Sequence, residues 1–363
     1  MIRGARAAEW VGLYAASVVA ALVLAGVIVE ATGGDWWPVM EALVDGSIRA
    51  PGRWGETLGV AVPLLLVALG TVVSAKAGLI NIGQEGQVLM GAAFAVYFSF
   101  LIGGPGPLNL VVLMAFGALG GAVWASVAGL LRFWRGVPEV LSTLLLVTVA
   151  TQAVGYGLKQ EWLLLAPGAN RGNRNQVSRQ LAGDNRIPRS DVFGNEFPIT
   201  VYVAVAVAVV TAFVLGRTVW GFRLRMLGHN ARAAQRSGVS STVYGAAALA
   251  IGGALAGLAG AAMFAGGGFS FGNYRLVPGF SDNIGWTGLL VALVARERAL
   301  AAVVVAFVFA GLRTGAGFVN STGVESRITD VVQGLLVLAL LVPPAVIFLR
   351  DRHRARAAAT ERV

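Results

Sequence analysis

Asn81-Ile82-Gly83-Gln84-Glu85-Gly86-Gln87 places one carboxylate and three side-chain amides at the mouth of a long apolar run. No residue from Gly86 to Leu131 is charged. A carboxylate this close to hydrocarbon is costly, so it is read first as a functional group. Glu85 can line a cavity, where its oxygens accept hydrogen bonds from a polar solute. It can equally brace a bend, accepting from backbone N–H groups freed where Gly83 and Gly86 interrupt the helix. Gln87 lies two residues on, so in a helix it points to a different face from Glu85. Asn81 carries the same two readings.

The Asn-Ile-Gly triplet recurs once, at Asn283-Ile284-Gly285. Aligned on it, residues 81–86 and 283–288 agree at four of six positions, and each copy opens an apolar helix. If the first copy runs inside to outside and the second the reverse, the pair is arranged as an inverted repeat. In such repeats, Gly-interrupted helices of the two halves meet at the substrate site. Coincidence in a chain with 49 glycines is the competing account. Trp286 can stack on a planar solute or anchor at a membrane interface. The candidate substrate-path residues are therefore Asn81, Glu85, Gln87, Asn283 and Trp286.

The elements that must position them are apolar helices. Of 363 residues, 56% are hydrophobic and only 13% charged, against about 25% charged in a soluble domain. Mean hydropathy is +0.73. The expected fold is all-α, a single polytopic membrane domain over residues 1–363 with about ten spans. These are 10–29, 57–75, 82–102, 108–131, 138–158, 197–216, 243–268, 283–295, 299–318 and 329–349. Residues 10–29 form a retained first helix rather than a cleaved leader. Span 283–295 is too short for an ordinary crossing and reads as a half-helix or re-entrant piece.

Net charge is +10, but the arginines lie between apolar spans, where they set topology and do not bind nucleic acid. Arg3, Arg6, Lys76, Arg132, Arg135, the five arginines between 217 and 236, Arg296, Arg298 and the arginines of the tail 350–363 then face the cytosol. Both termini are cytosolic in this reading. The long polar segment 160–196 lies outside, as a solvated loop or a docking surface for an external partner. There is no cysteine and the only histidines are His229 and His353, so a His-built metal site or thiol chemistry is not expected. Glu139, opening the fifth span, favours its helix N-terminus.

One cytosolic segment, 217–242, has its own design. Arg232-Ala233-Ala234-Gln235-Arg236 predicts a short helix, with Asn230 as its N-cap and Gly238 as its stop. A short basic helix can lie on the membrane surface or plug into a groove of a partner.

Gly78-Leu79-Ile80-Asn81-Ile82-Gly83-Gln84-Glu85-Gly86-Gln87 resembles the signature of bacterial ABC-transporter permeases of the nucleoside and simple-sugar import branch. Gly221-Phe222-Arg223, with Gly228-His229-Asn230, Ala233-Ala234 and Ser237-Gly238-Val239, is similar to that family's coupling loop. Residues 253–261 resemble its Gly/Ala-rich helix, and residues 136–146 a segment of its nucleoside-type members. The resemblance runs from about residue 57 to 345. Residues 286–293 depart from the apolar run expected there, and 160–196 resembles nothing in the family.

The resemblance implies a permease subunit in the bacterial cytoplasmic membrane. A second permease, identical or homologous, would pair with it. Two cytosolic ATPase subunits would dock on the coupling loop, at Gly228, Asn230, Ala233, Ala234 and Gly238. An external solute-binding lipoprotein would deliver a nucleoside or a simple sugar. The chain has two lysines, Lys76 and Lys159, followed by Ala77 and Gln160. It therefore lacks the Gly-Lys-Ser/Thr of a P-loop, and ATP and magnesium belong to the partner ATPase. A transporter driven by an ion gradient, with Glu85 as a proton site, is the alternative from another class.

Overall fold

The computed structural model describes residues 2–102, 104, 106–167, 176–267 and 273–323, and single positions between 328 and 350. They form helices α1 (Ile2–Ala31), α2 (Trp36–Val44), α3 (Arg53–Lys76), α4 (Gln84–Ile102), α5 (Gly106–Arg135) and α6 (Glu139–Gly157). The chain continues through α7 (Thr200–Arg217), α8 (Val219–His229), α9 (Ala231–Arg236), α10 (Ser241–Gly266), α11 (Ile284–Val294) and α12 (Ala299–Val319). One antiparallel hairpin, β1 (Arg189–Val192) with β2 (Asn195–Pro198), stands among them.

Seven of these helices, α3 to α7, α10 and α12, are long and apolar enough to cross a membrane. Each falls within a few residues of an expected span. Helix α11 has 11 residues, about 16 Å of rise, and is the short piece expected at 283–295. The first expected span, 10–29, lies inside the continuous helix α1, and the chain bends just after it. Val19–Ala31 and Trp36–Arg49 form a pair bent by 120°. Thr32-Gly33-Gly34-Asp35 makes the bend, with Gly33 at φ +83°, a left-handed conformation that glycine adopts without strain. The nine-residue α2 is too short to register as a span by its composition. The expected span 329–349 lies largely, and the tail 350–363 almost wholly, outside the described residues.

The chain packs as two compact units, residues 1–53 with 311–363, and residues 54–310. In the first, Val29, Val39, Leu43 and Val319 are buried together, flanked by Trp36 and Met40. Arg53 locks this unit. It donates through Nε to Gly46 O at 2.7 Å and through an Nη to Thr314 O at 3.2 Å, and it lies 5.0 Å from the centre of the Phe318 ring.

The second unit is built around α3, α4 and α10. In their most apolar windows, 72%, 61% and 67% of residues are buried, against 22–28% for α5, α6 and α7. The first three are therefore the centre and the others present broad apolar faces outward. Helix α10 reaches its neighbours because small residues line it. A Cβ on Gly257 would sit 2.9 Å from Gly121 Cα and closer still to Gly117 O. Side chains this small let backbones touch, which is how helices associate where water supplies no hydrophobic drive.

The 160–196 segment is less exposed than its composition suggests. Leu164, Leu165, Leu181 and Ile187 are buried. Its backbone pairs with the end of α10 and the stretch after it: Ser178 N donates to Leu276 O at 2.9 Å, Leu181 N to Tyr274 O at 3.0 Å and Ile187 N to Ala265 O at 3.0 Å. A few leucines at the right intervals pin an otherwise polar loop. Residues 168–175 lie outside the described residues.

Gly257→Leu should abolish a monodisperse folded population in fluorescence-detected size exclusion, since overpacking costs about 1–3 kcal/mol even without backbone contact. Gly155→Leu, where a Cβ meets nothing within 4 Å, should leave it intact.

Candidate functional site

Helix α3 ends at Lys76, and the chain must turn before α4 begins at Gln84. Gly78, at φ +75°, makes the turn. The amides named from the sequence then organise the entry to α4. Asn81 and Gln87 pair reciprocally: Asn81 Nδ2 donates to Gln87 Oε1 at 3.0 Å, and Gln87 Nε2 to Asn81 Oδ1 at 3.0 Å. Asn81 Oδ1 also accepts from Gly83 N at 3.1 Å. Gln84 turns back onto α3. With its amide nitrogen set toward Val67 O (3.0 Å), its oxygen accepts from Thr71 N at 2.8 Å, an orientation assigned from the hydrogen-bond network. Helix α6 closes the third side, with Thr143 Oγ1 accepting from Ile82 N at 3.3 Å. Asn81, Gln84 and Gln87 are each about 1% exposed, so their polarity is spent inside the protein.

Glu85 faces the other way, toward the second Asn-Ile-Gly triplet. Its Oε1 accepts from Ser281 Oγ at 2.5 Å and from Asn283 N at 3.1 Å, and its Oε2 accepts from Gly285 N at 2.6 Å. The N–H groups of Asn283 and Gly285 are among those a helix start leaves without partners. Glu85 therefore caps α11 from another helix. Its charge lies at the N-terminal, positive end of α11 and in the first turn of α4, where a carboxylate is favoured. Gly285 permits this: a Cβ there would lie 2.8 Å from Gln84 C and closer to the Glu85 backbone.

The two triplets thus meet, but not as local equivalents. The first helix begins after Gly83, with Asn81 turned inward. The second begins after Asn283, whose φ is +62° and whose side chain is exposed. Trp286 is partly exposed on the first turn of α11. Of the five candidate path residues, Asn283 and Trp286 keep free surface. Asn81, Glu85 and Gln87 are engaged within the protein.

Helix α11 is bracketed by strain. Asp282 and Asn283 before it, and Arg296 and Glu297 after it, all have positive φ without being glycine. Such residues persist only when their surroundings hold them. Glu85 holds the first pair. At the second, Lys76 Nζ lies 3.0 Å from Glu297 Oε2.

The 217–242 segment folds as its sequence predicts. Asn230 Oδ1 accepts from Ala233 N at 3.0 Å, capping α9, and Gly238 ends it at φ +80°. Ala234 is fully buried against Leu227 and Val239, whereas Arg232, Ala233, Gln235 and Arg236 are exposed. Of the residues named for this loop, Asn230, Ala233 and Gly238 are exposed, Asn230 and Gly238 also shaping the element, and Ala234 is buried. Gly228 has a different place. A Cβ on it would meet Lys76 O and lie 2.9 Å from Gly78 N. Helix α8 therefore rests on the turn that leads into Asn81 and Glu85. Glu139, at the start of α6, pairs with Arg132 at 3.1 Å.

Ser281, Thr71 and the Lys76–Glu297 pair carry no signal in the sequence. Thr143 lies in a stretch that the sequence marks, residues 136–146, but nothing there points to Ile82. Among the described residues, no three of His, Asp and Glu gather as a metal site.

A family model described as branched-chain amino acid transport system / permease component matches residues 55–341, which include every residue of this site. The chain is similar to the glucose ABC transporter permease protein TsgB13 of Haloferax volcanii, 30% identical over 335 residues, 90% of this chain and 85% of that protein. It is similar to the guanosine ABC transporter permease protein NupP of Bacillus subtilis, 28% identical over 305 residues, 84% of this chain and 85% of that protein. A second guanosine permease protein of that organism, NupQ, is 31% identical over 192 residues, 51% of this chain and 58% of that protein. No solved structure matches.

Glu85→Ala leaves the two α11 N–H groups without an acceptor, at about 1–3 kcal/mol each. The purified variant should unfold at clearly lower temperature than Glu85→Gln, which keeps one carbonyl oxygen. Unchanged thermal stability in Glu85→Ala would show that the clasp does not hold α11.

Proposed function

We infer the function from one premise: the chain belongs to the family of branched-chain amino acid transport system permease components. It is a multi-pass membrane permease subunit, a transport component rather than an enzyme. We propose that it moves a nucleoside across the bacterial cytoplasmic membrane by alternating access, with both termini cytosolic. ATP and magnesium act on two ATPase subunits that dock on α8 and α9, and an external lipoprotein supplies the solute.

The observation that carries this reading is the contact of Gly228 with Lys76 and Gly78. Helix α9 offers Arg232 and Arg236 on an exposed face, and α8 passes any displacement to the turn before α4. From there Glu85 at one end and Lys76 at the other engage the two strained turns around α11. Helix α11 moves with them, and Asn283 and Trp286, its exposed polar and aromatic groups, meet the solute. All three partners of Glu85 donate to it, the arrangement of a fixed acceptor rather than of a proton carrier in a gradient-driven transporter.

Two guanosine permease proteins of one organism match this chain unequally, one over 84% of it and the other over 51%. That asymmetry favours pairing with a related, non-identical permease. The likeness to a glucose permease protein keeps a simple sugar as the second substrate reading.

Proteoliposomes holding this chain with its paired permease, ATPase and lipoprotein should take up labelled guanosine when ATP is supplied. Uptake of glucose or a branched-chain amino acid without guanosine would overturn the substrate. Arg232→Glu with Arg236→Glu should reduce uptake about tenfold or more while the permease remains folded. Ala234→Arg should instead disrupt the α8–α9 element itself, seen as loss of ATPase co-purification together with lowered thermal stability.

A further inference from the structure

We propose that the cavity between α4, α6 and the turn at residues 160–165 binds a zwitterionic phospholipid of the surrounding bilayer, with its acyl chain inside and its headgroup between Arg179 and Glu161. The cavity measures about 400 Å³ and is lined by Met90, Phe94, Tyr97, Phe98, Val154 and Leu164 among others. The Tyr97 hydroxyl is the one polar side-chain group in that lining. A nucleoside or sugar would bury several hydroxyls there without partners, each at the desolvation cost of an unmade hydrogen bond. An alkyl chain has no such groups and gains dispersion contacts with the aromatic wall.

The opening faces the right solvent. Ala153 on the cavity's edge is exposed, as are Leu145, Val149 and Tyr156 on the same helix. This apolar outer face of α6 belongs in hydrocarbon. The cavity runs along α4 from Met90 to Phe98, away from the α8 contact at Gly78, so it is separate from the proposed solute path.

A second cavity, about 150 Å³, continues from the first. It shares Tyr97, Leu163 and Leu164 and adds Trp162, Glu161 and Arg179. Trp162 is 68% exposed, as aromatic residues at the headgroup level are. The Arg179 guanidinium lies 5.8 Å from the centre of the Phe100 ring, which leaves its edge free to donate. Among the described residues, no ion pair joins Arg179 to Glu161. A guanidinium matches a phosphate, and a carboxylate beside it matches an ammonium group. Together they fit phosphatidylethanolamine and disfavour phosphatidylglycerol, whose headgroup carries no cation.

The test uses the full chain in nanodiscs of mixed dioleoyl phosphatidylethanolamine and phosphatidylglycerol, with retained lipid read by native mass spectrometry after detergent release. Wild type should retain phosphatidylethanolamine in preference to phosphatidylglycerol. Ala153→Trp, which fills the opening, should cut retained lipid about tenfold while the protein stays monodisperse. Glu161→Gln should keep the lipid but lose the headgroup preference, and Arg179→Gln should weaken retention of both lipids. Preference for phosphatidylglycerol in wild type, or equal retention in Ala153→Trp, would overturn the proposal. Displacement of the lipid by guanosine would overturn it too, and would make the cavity a solute site.

Discussion

A buried carboxylate that caps a helix belonging to another part of the chain is the constraint on which the rest of this site depends. Glu85 is 7% exposed, and a charge so placed survives only if hydrogen bonds replace its water. Ser281 Oγ, Asn283 N and Gly285 N replace it. The same bonds satisfy the start of α11, which has no side-chain cap of its own. Two deficits, an unsolvated charge and unpartnered N–H groups, cancel each other. Glu85 on α4 and the start of α11 each supply what the other lacks.

This explains why α11 can be short. An 11-residue helix is marginal in isolation and cannot span the bilayer alone. It is suspended between two turns of left-handed, non-glycine residues, each tied to the segment between α3 and α4. Lys76 and Glu85 lie at opposite ends of that segment. A displacement of the segment would therefore act on both ends of α11 together.

The close packing of the central helices supplies the fixed frame. Backbone-to-backbone contact along α10 leaves no slack for side chains to absorb motion. At the other end, Gly228 lets α8 press directly on Gly78. Small residues thus do two jobs: they pack the centre closely and they join α8 to the turn before α4. Ala234 belongs with them. The resemblance marks it as part of a docking loop, yet it is buried, because in a six-residue helix one face must pack against its own scaffold.

The long apolar spans, the α9 cap at Asn230, its stop at Gly238 and the special standing of residues 81–87 were legible in the amino-acid sequence. Each rests on local rules: hydropathy over a span, a side chain reaching its own helix start, a glycine taking positive φ. The bend at residues 32–35 was harder to see, since α2 is too short for a composition signal. The burial of Leu181 and Ile187 was hidden in a polar stretch, because burial there depends on pairing with residues some 80 to 90 positions away. What only the tertiary structure decided was the division of labour among the polar groups. The sequence left Glu85 between brace and cavity wall. Ser281 and the α11 N–H groups, nearly 200 residues distant, determine that its oxygens are occupied, and a hydrogen bond over that separation leaves no pattern in local spacing.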